Sequence, residues 1–555
     1  MKKLTGFLLL IVFVAVSGAA FAAELNIGSR FYTKFLDRNT YDPAFYRTTG
    51  NGVGIRSELE LTLDGRVSDR AEMGARILTV WAPPGITPDY SDWAGWYNGD
   101  ANLWQVRGMW LRFYPATLPT VKSVLIGSTD LGMFNAWTIG KIRWIDRDNA
   151  RIILGEGKLA AADYKLAAVP LPPSMGPGYS TGPNPRRGWV YGASLSGSPN
   201  QALNLKLIGS RVLAQEQDPD TTDDTQGVNR FDNSVGTLEF LFTPNPVLNI
   251  EGLVGLSNYS ADPTLIGPPM VWWPHIPYDD VNGLALKFTA TANDPLGIGL
   301  TVKGQYFDVS PDFVSIMAAR RETNVLISEG YVRYGADVNG STWDGNVGFT
   351  PSDHVDNGIT DWNEPYYINI IGTTGFTVIP EFRRGPLGVK GEFSYTANKL
   401  NSQDVDTVKY FWSAPRVDQS GYLGAVRVDY LLPIGLDIFG KVKMVNNSDG
   451  VNTSIDTDNL AMNDTEIYGG VSFQLTDELG ITGGYKNLNY VNKGNGLDED
   501  VKTYELQAGM IFANVKYNVG GVDVGLAWEK VDGEDKIADA DVDDMRFKGT
   551  VEIKI

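Results

Sequence analysis

The chain has no cysteine in 555 residues. That excludes a disulfide framework, thiolate-bound metal and covalently attached c-type haem. Histidine is almost as scarce, with only His275 and His354. Basic residues are outnumbered, 47 Lys and Arg against 66 Asp and Glu, for a formal charge of −19. A nucleic-acid partner needs a basic surface and is not expected. The apolar run Phe7 to Val16 is ten residues long, too short to cross ~30 Å of hydrocarbon as a helix. A domain boundary is missing too: there is no Pro/Ser-rich linker, no charge block and no change of periodicity.

What is present begins with a secretory leader. Lys2 and Lys3 precede the apolar core, and Ala20-Phe21-Ala22 supplies a small-x-small cleavage site. Cleavage between Ala22 and Ala23 is expected, leaving 23–555 as one unit. Losing Lys2 and Lys3, and no acid, takes the charge from −19 to −21.

From Leu25 onward apolar and polar residues alternate in segments of about ten, the length a tilted membrane strand needs. Val53, Ile55, Leu59, Leu61 and Leu63 alternate with Arg56, Glu58, Glu60, Thr62 and Asp64. Leu296, Ile298, Leu300, Val302 and Tyr306 alternate with Thr301, Lys303 and Gln305. Leu387, Val389, Phe393 and Tyr395 face away from Lys390, Glu392 and Ser394. Successive strand side chains point to opposite faces, so each segment has one apolar and one charged face. Arg56, Glu58, Glu60, Lys303, Lys390 and Glu392 are therefore candidate lumen residues.

The connections separate a membrane barrel from a soluble sandwich. Short turn-forming stretches such as Gly197-Ser198-Pro199-Asn200, Asn293-Asp294-Pro295, Pro433-Ile434-Gly435 and Gly520-Gly521 alternate with long polar ones. Short turns at one end and long loops at the other mark an outer-membrane barrel. Turn centres spaced by two strands and one loop give nine or ten turns, with one placed near Gly155-Glu156-Gly157. The expected fold is an all-β, antiparallel up-and-down transmembrane barrel of about 20–22 strands, within a range of 18–24. Met545, Phe547, Val551, Ile553 and Ile555 alternate with charged or polar residues to the last position.

Together these features resemble the porin-like channel families of Gram-negative outer membranes, by architecture and over the whole mature chain. The resemblance implies passive diffusion of ions and small hydrophilic solutes, contact with outer-membrane lipid and lipopolysaccharide, and insertion by the barrel-assembly machinery. It also admits a homotrimer. The closing strand departs from the family in ending on Ile555 rather than an aromatic residue. The acid excess predicts cation preference. Two rival roles keep the barrel and change its use. One is a scaffold sheathing a separate multihaem cytochrome for electron transfer. The other is a plugged structural or adhesion barrel.

The surplus stretch 308–363 is the candidate for a loop folded into the lumen. Ser310 as N-cap, Pro311 at the first position and Asp312 against the dipole predict a short helix. Such a helix would present Asp312, Arg320, Arg321 and Glu322 at a constriction, where opposed charges sort solutes. An external loop with a solvated charge cluster is the alternative. Asp539, Asp541 and Asp543 have the spacing of a calcium loop, but Asp544 stands where glycine is needed and the distant Glu is missing. Ser352-Asp353-His354 cannot form a triad, because adjacent side chains diverge. Trp272-Trp273-Pro274-His275 reads as a stacking surface at the channel mouth, or equally as part of an aromatic girdle or of loop packing. No catalytic residue, metal ligand or cofactor is expected.

Overall fold

The computed structural model describes residues 24–39, 52–81, 102–129, 133–135, 137–139, 150–170, 188–214, 231–261, 280–315, 373–399, 420–448, 461–493 and 502–554. The proposed leader and its Ala22/Ala23 cleavage site, both histidines and Arg320, Arg321 and Glu322 lie outside them.

Among the described residues there are 22 strands and no α-helix. The first seven are β1 (Glu24–Asn39), β2 (Gly52–Ser68), β3 (Ala71–Trp81), β4 (Asn102–Phe113), β5 (Val121–Thr129), β6 (Ala150–Leu159) and β7 (Ala162–Pro170). Next come β8 (Gly188–Asn200), β9 (Leu203–Ala214), β10 (Phe231–Asn245), β11 (Leu248–Ala261), β12 (Val281–Asn293), β13 (Leu300–Val309) and β14 (Thr373–Arg384). The rest are β15 (Leu387–Asn398), β16 (Ser420–Leu431), β17 (Leu436–Ser448), β18 (Ala461–Gln474), β19 (Leu479–Lys493), β20 (Lys502–Val519), β21 (Val522–Asp535) and β22 (Ala540–Lys554).

Each strand pairs antiparallel with its sequence neighbours, and β1 pairs with β22 from Arg30↔Lys554 to Asn39↔Met545. The sheet has no free edge. Ten connections at the end that holds both strand termini, Glu24 and Lys554, are turns of two to seven residues. Those at the opposite end run from 4 to 63 residues.

Two boundaries differ from the sequence reading. The turn expected at Gly155-Glu156-Gly157 lies at 160–161 instead, with Ala160 in the left-handed region at φ 54°. Glu156 stays in β6 because its carboxylate reaches Lys165 on β7 at 3.3 Å and Arg112 on β4 at 3.8 Å. Leu296 and Ile298, read as strand, belong to the turn before β13. There the Asp294 carboxylate accepts backbone N–H bonds from Ile298 and Gly299 at 2.7 and 2.8 Å.

The barrel is apolar on the outside. On β12, Leu284 and Phe288 are exposed while Gly283, Ala285 and Thr289 are buried. On β16, Tyr422, Val426 and Val428 are exposed while Leu423 and Ala425 are buried. Phe376, Phe393 and Tyr395 cluster on the outer face of β14 and β15, with ring centroids 5.8 and 6.0 Å apart. Large apolar residues facing out on strand after strand would be a liability in water. In lipid they are the required surface, because hydrocarbon accepts only a closed sheet dressed in apolar side chains.

Leu256, on β11, is 63% exposed. Exposed leucine on a soluble protein tolerates Leu→Arg almost freely, whereas arginine in a bilayer belt costs about 2–4 kcal/mol at mid-depth. Leu256→Arg should lower folding stability by roughly that amount in urea titrations from liposomes. A change within about 0.5 kcal/mol, the size of an ordinary surface effect, would contradict the membrane-facing assignment.

Candidate functional site

The inward face carries the charge. Register sets Arg76 opposite Thr62, diagonal to Glu60 on the same face, and the guanidinium bonds the Glu60 carboxylate, with Nε to Oε1 at 2.9 Å. Lys206 on β9 lies 3.8 Å from Glu239 on β10. Lys287 on β12 and Lys303 on β13 share this face, as do Lys390 and Glu392 on β15. Arg56 and Glu58 fall in phase with Glu60 on β2, but their side chains lie outside the described residues. The pattern that put Glu60, Lys303, Lys390 and Glu392 together in the sequence thus corresponds to one face of the sheet.

Among the described residues the wall from β14 to β19 is densely charged. Glu466 on β18 is buried between Lys486 on β19, at 2.7 Å, and Lys443 on β17, at 3.4 Å. Lys441 and Lys486 lie over the Tyr468 ring at 5.4 and 5.9 Å from its centroid. Arg427 stacks 4.7 Å from the Phe439 centroid and binds Asp429 at 2.7 Å. Beside them Ser394 donates to Glu392 at 2.8 Å and shares a 2.8 Å hydrogen bond with Thr377, all three buried. Charges shut away from water are tolerable only when paired and hydrogen-bonded. Here paired carboxylates, hydroxyls and aromatic faces supply part of what solvent would otherwise give.

The adjoining wall, β8 to β13, is faced by two chain segments that fold inward. The connection after β5 contributes Phe134, Trp137, Thr138 and Ile139, all buried. The connection after β13 contributes Phe313, Val314 and Ser315, also buried. Trp137 and Phe313 meet edge-on, centroids 6.0 Å apart at 71°, within a cluster that includes Val235, Leu253, Ala285, Phe307 and Val309. Every partner named there comes from the face opposite the exposed leucines, so both segments lie inside the barrel.

Polar bonds fix this dry cluster to the wall. The Asn135 amide donates to Thr237 Oγ1 at 2.9 Å and Glu239 Oε1 at 2.7 Å. Its oxygen accepts the Trp137 and Thr138 N–H groups at 3.0 and 2.8 Å. Lys206 Nζ donates to the Phe134 carbonyl at 2.6 Å. Asn233 donates to the Val314 carbonyl at 2.9 Å, and Val314 N–H donates to Ser257 Oγ at 3.0 Å. Ser315 Oγ donates to the Trp137 carbonyl at 2.6 Å, joining the two segments. Glycine on the strands leaves the room. A β-carbon on Gly283 would lie 2.2 Å from Phe313 N, and one on Gly192 2.7 Å from Ile139 Cδ1.

The helix expected from Ser310 does not form through Ser315. Phe313 N–H donates to the Ser310 carbonyl at 3.1 Å, the step of a turn, and Asp312 N–H donates to Ser310 Oγ at 3.2 Å. The next backbone donor goes to Ser257 on the wall, so docking overrides local helix preference. Of the four residues assigned to a constriction, Asp312 is in this docked turn. Segment 133–139 was missed from sequence. Its signal was Phe134, Trp137 and Ile139, apolar residues in a connection at the loop end. At the lip of the loop end, Asp541 and Asp543 lie on β22, and among the described residues no group of three or more possible metal ligands occurs.

No protein-family model and no curated protein matches the chain. Solved structures do match along nearly its full length. OccK9 (OpdG) of Pseudomonas aeruginosa is 9% identical, covering 96% of this chain and 100% of that one, with a TM-score of 0.41. OccAB1 of Acinetobacter baumannii is 10% identical over 96% and 98%, with a TM-score of 0.36. A loop-deletion mutant of OmpT, an outer membrane protein of Vibrio cholerae, is 9% identical over 96% and 99%, with a TM-score of 0.30. At such identities and scores the likeness adds nothing about function to what the barrel itself shows. A closed antiparallel barrel, apolar outside and charged inside, has the outer-membrane fold.

Two substitutions test the lumen's construction. Gly283→Ala should push Phe313 off β12, at about 1–3 kcal/mol of overpacking, or roughly 5- to 150-fold less exchange protection at the Val314 amide. Unchanged protection there would show that the segment is not held against Gly283. Glu466→Gln leaves Lys443 and Lys486 without their shared carboxylate, and should cost about 3–5 kcal/mol of barrel stability in a urea titration.

Proposed function

We propose that the protein is a porin-like channel of the Gram-negative outer membrane, passing ions and small hydrophilic solutes without an energy source. One observation carries this reading: inward faces bear Arg, Lys, Glu and Asp on strand after strand, behind an apolar exterior. A barrel of more than about 16 strands is wide enough to enclose an aqueous path unless something fills it. On this reading 1–22 is a leader cleaved between Ala22 and Ala23, and 23–555 is one barrel domain. The chain end with short turns faces the periplasm, and the barrel-assembly machinery inserts the sheet.

On this reading the stretch 308–363 is a loop folded into the lumen, entered through the docked turn at Asp312 and Phe313. Arg320, Arg321 and Glu322 follow that turn in sequence and are assigned to the constriction. The acid excess of the chain favours cations. A homotrimer is an assembly this fold class permits.

A specific observation favours a second reading, the plugged barrel. Thr377, Ser394, Leu423, Lys443 and Glu466 face inward yet are buried, so part of the lumen wall is closed to solvent. The haem-sheathing scaffold gains nothing comparable.

Planar-bilayer recording on refolded mature protein separates these roles. The channel reading expects ohmic, cation-preferring openings, and deletion of Ser310 to Thr323 should raise single-channel conductance. Anion preference would place the lumenal bases above the acids, and unchanged conductance would remove the loop from the constriction. No current at all would favour the plugged barrel, or the scaffold if a haem protein co-purifies.

A further inference from the structure

The apolar exterior does not stop where the strands stop at the turn end. Leu159 stands at the last position of β6, in phase with outward-facing Ile153, and Leu475 follows β18 in phase with Ile467 and Val471. In the turns themselves Leu296 and Ile434 are 69% and 70% exposed, with Val247 and Ile298 exposed beside them. Water-facing turns would be expected to show polar side chains at these tips.

Apart from the exposed Asp477 and Glu478, the polar groups of the same turns point back into their own backbone. Asp294 accepts from Ile298, Gly299 and Leu300 N–H, the last at 3.3 Å. Asn245 Oδ1 accepts from Val247 and Leu248 N–H, both at 2.9 Å. Thr476 Oγ1 accepts from Leu479 N–H at 3.1 Å, and Gly435 N–H donates to the Leu432 carbonyl at 3.0 Å. Turns in bulk water can leave such donors to solvent. Turns that satisfy them internally while presenting leucine and isoleucine suit a medium poor in water.

We propose that these turns form a collar inserted into the lipid leaflet at the turn end, with Leu159, Val247, Leu296, Ile298, Ile434 and Leu475 contacting the acyl and glycerol region of phospholipid. The occupant follows from continuity: the collar extends the face that already meets hydrocarbon, on β6 and β18 in unbroken phase. Charge interrupts it at three turns: the one at Arg66, Asp69 and Arg70, the one after Arg383 and Arg384, and the one where Asp477 and Glu478 follow Leu475. The rim is therefore embedded along some sectors and polar along others.

Because the native chain has no cysteine, single-cysteine variants of the full protein give one label each. Leu296→Cys and Ile434→Cys carry the test. Leu256→Cys is the mid-belt reference and Asp69→Cys, whose native side chain is 97% exposed, the aqueous one. Each is labelled with NBD and refolded into phosphatidylcholine vesicles carrying a nitroxide near the top of the acyl chain, with folding checked by heat-modifiable mobility. Quenching at 296 and 434 should match that at 256 and exceed that at 69 severalfold, with little quenching by aqueous iodide. Iodide access equal to that at position 69 would overturn the proposal, and so would shielding from both quenchers, which would mean a protein covers the turns. Should Leu296→Cys fail to fold, Ile298→Cys reads the same turn.

Discussion

Everything in this molecule depends on the hydrogen bonding of a backbone that has no water to turn to. A strand in hydrocarbon must give each N–H and C=O a partner, and an open edge would leave a whole row unmet. The pairing of β1 with β22 meets that demand. Its inner face is held by Arg30, whose Nε donates to Glu552 at 2.6 Å across the seam. Once the sheet closes, side-chain chemistry has no freedom left: one parity of every strand meets lipid and the other meets the lumen.

That division inverts the usual relation between burial and polarity. Leucine at position 256 is exposed and in its proper place, while Lys443 and Glu466 are buried and so must find partners in the protein. The Lys443–Glu466–Lys486 group does this with a single carboxylate between two ammonium groups, and Tyr468 gives Lys441 and Lys486 an aromatic face. On the adjoining wall part of the inner face is instead covered by apolar side chains. Phe313 and Trp137 cover the β8–β13 wall, and Asn135, Asn233 and Ser257 absorb the backbone groups that the inward segments bring with them. The two sectors thus differ: one is paired and ionic, while the other is dry around Trp137 and Phe313 and keeps Lys206 and Glu239 as polar anchors.

Much of this was legible in the chain because a period of two is an unambiguous signal when one face is apolar over ten residues. Lys303 against Val302 and Lys390 against Val389 declare their faces without help from the fold. Turn spacing gave ten turns as one of two options, and 22 strands follow from it. The turn before β13 differs for a local reason, the Asp294 carboxylate, while the other departures are set by partners farther away in sequence. Gly155 and Gly157 look like a turn until Glu156 is seen between Arg112 and Lys165. Ser310-Pro311-Asp312 has every local mark of a helix start, but Ser257 and Gly283 offer a better use of its backbone. Segment 133–139 has no period at all, and only its tryptophan and phenylalanine hint at a buried destination.

Glycine on the inner wall ties these observations together. Gly192 and Gly283 sit where a strand would ordinarily carry a side chain, and the atoms that fill the space belong to Ile139 and Phe313. A strand interior loses stability by using glycine, about 0.5–1 kcal/mol relative to alanine. The loss is offset here only if the inward segments stay docked, since an empty groove would recover none of it. The segments are therefore part of the wall rather than flaps lying against it. The joint between them, Ser315 to the Trp137 carbonyl with Phe313 against the indole, makes docking of one segment depend on the other. The lumen's shape is consequently set by two connections acting as one unit, on a surface that the strands alone leave incomplete.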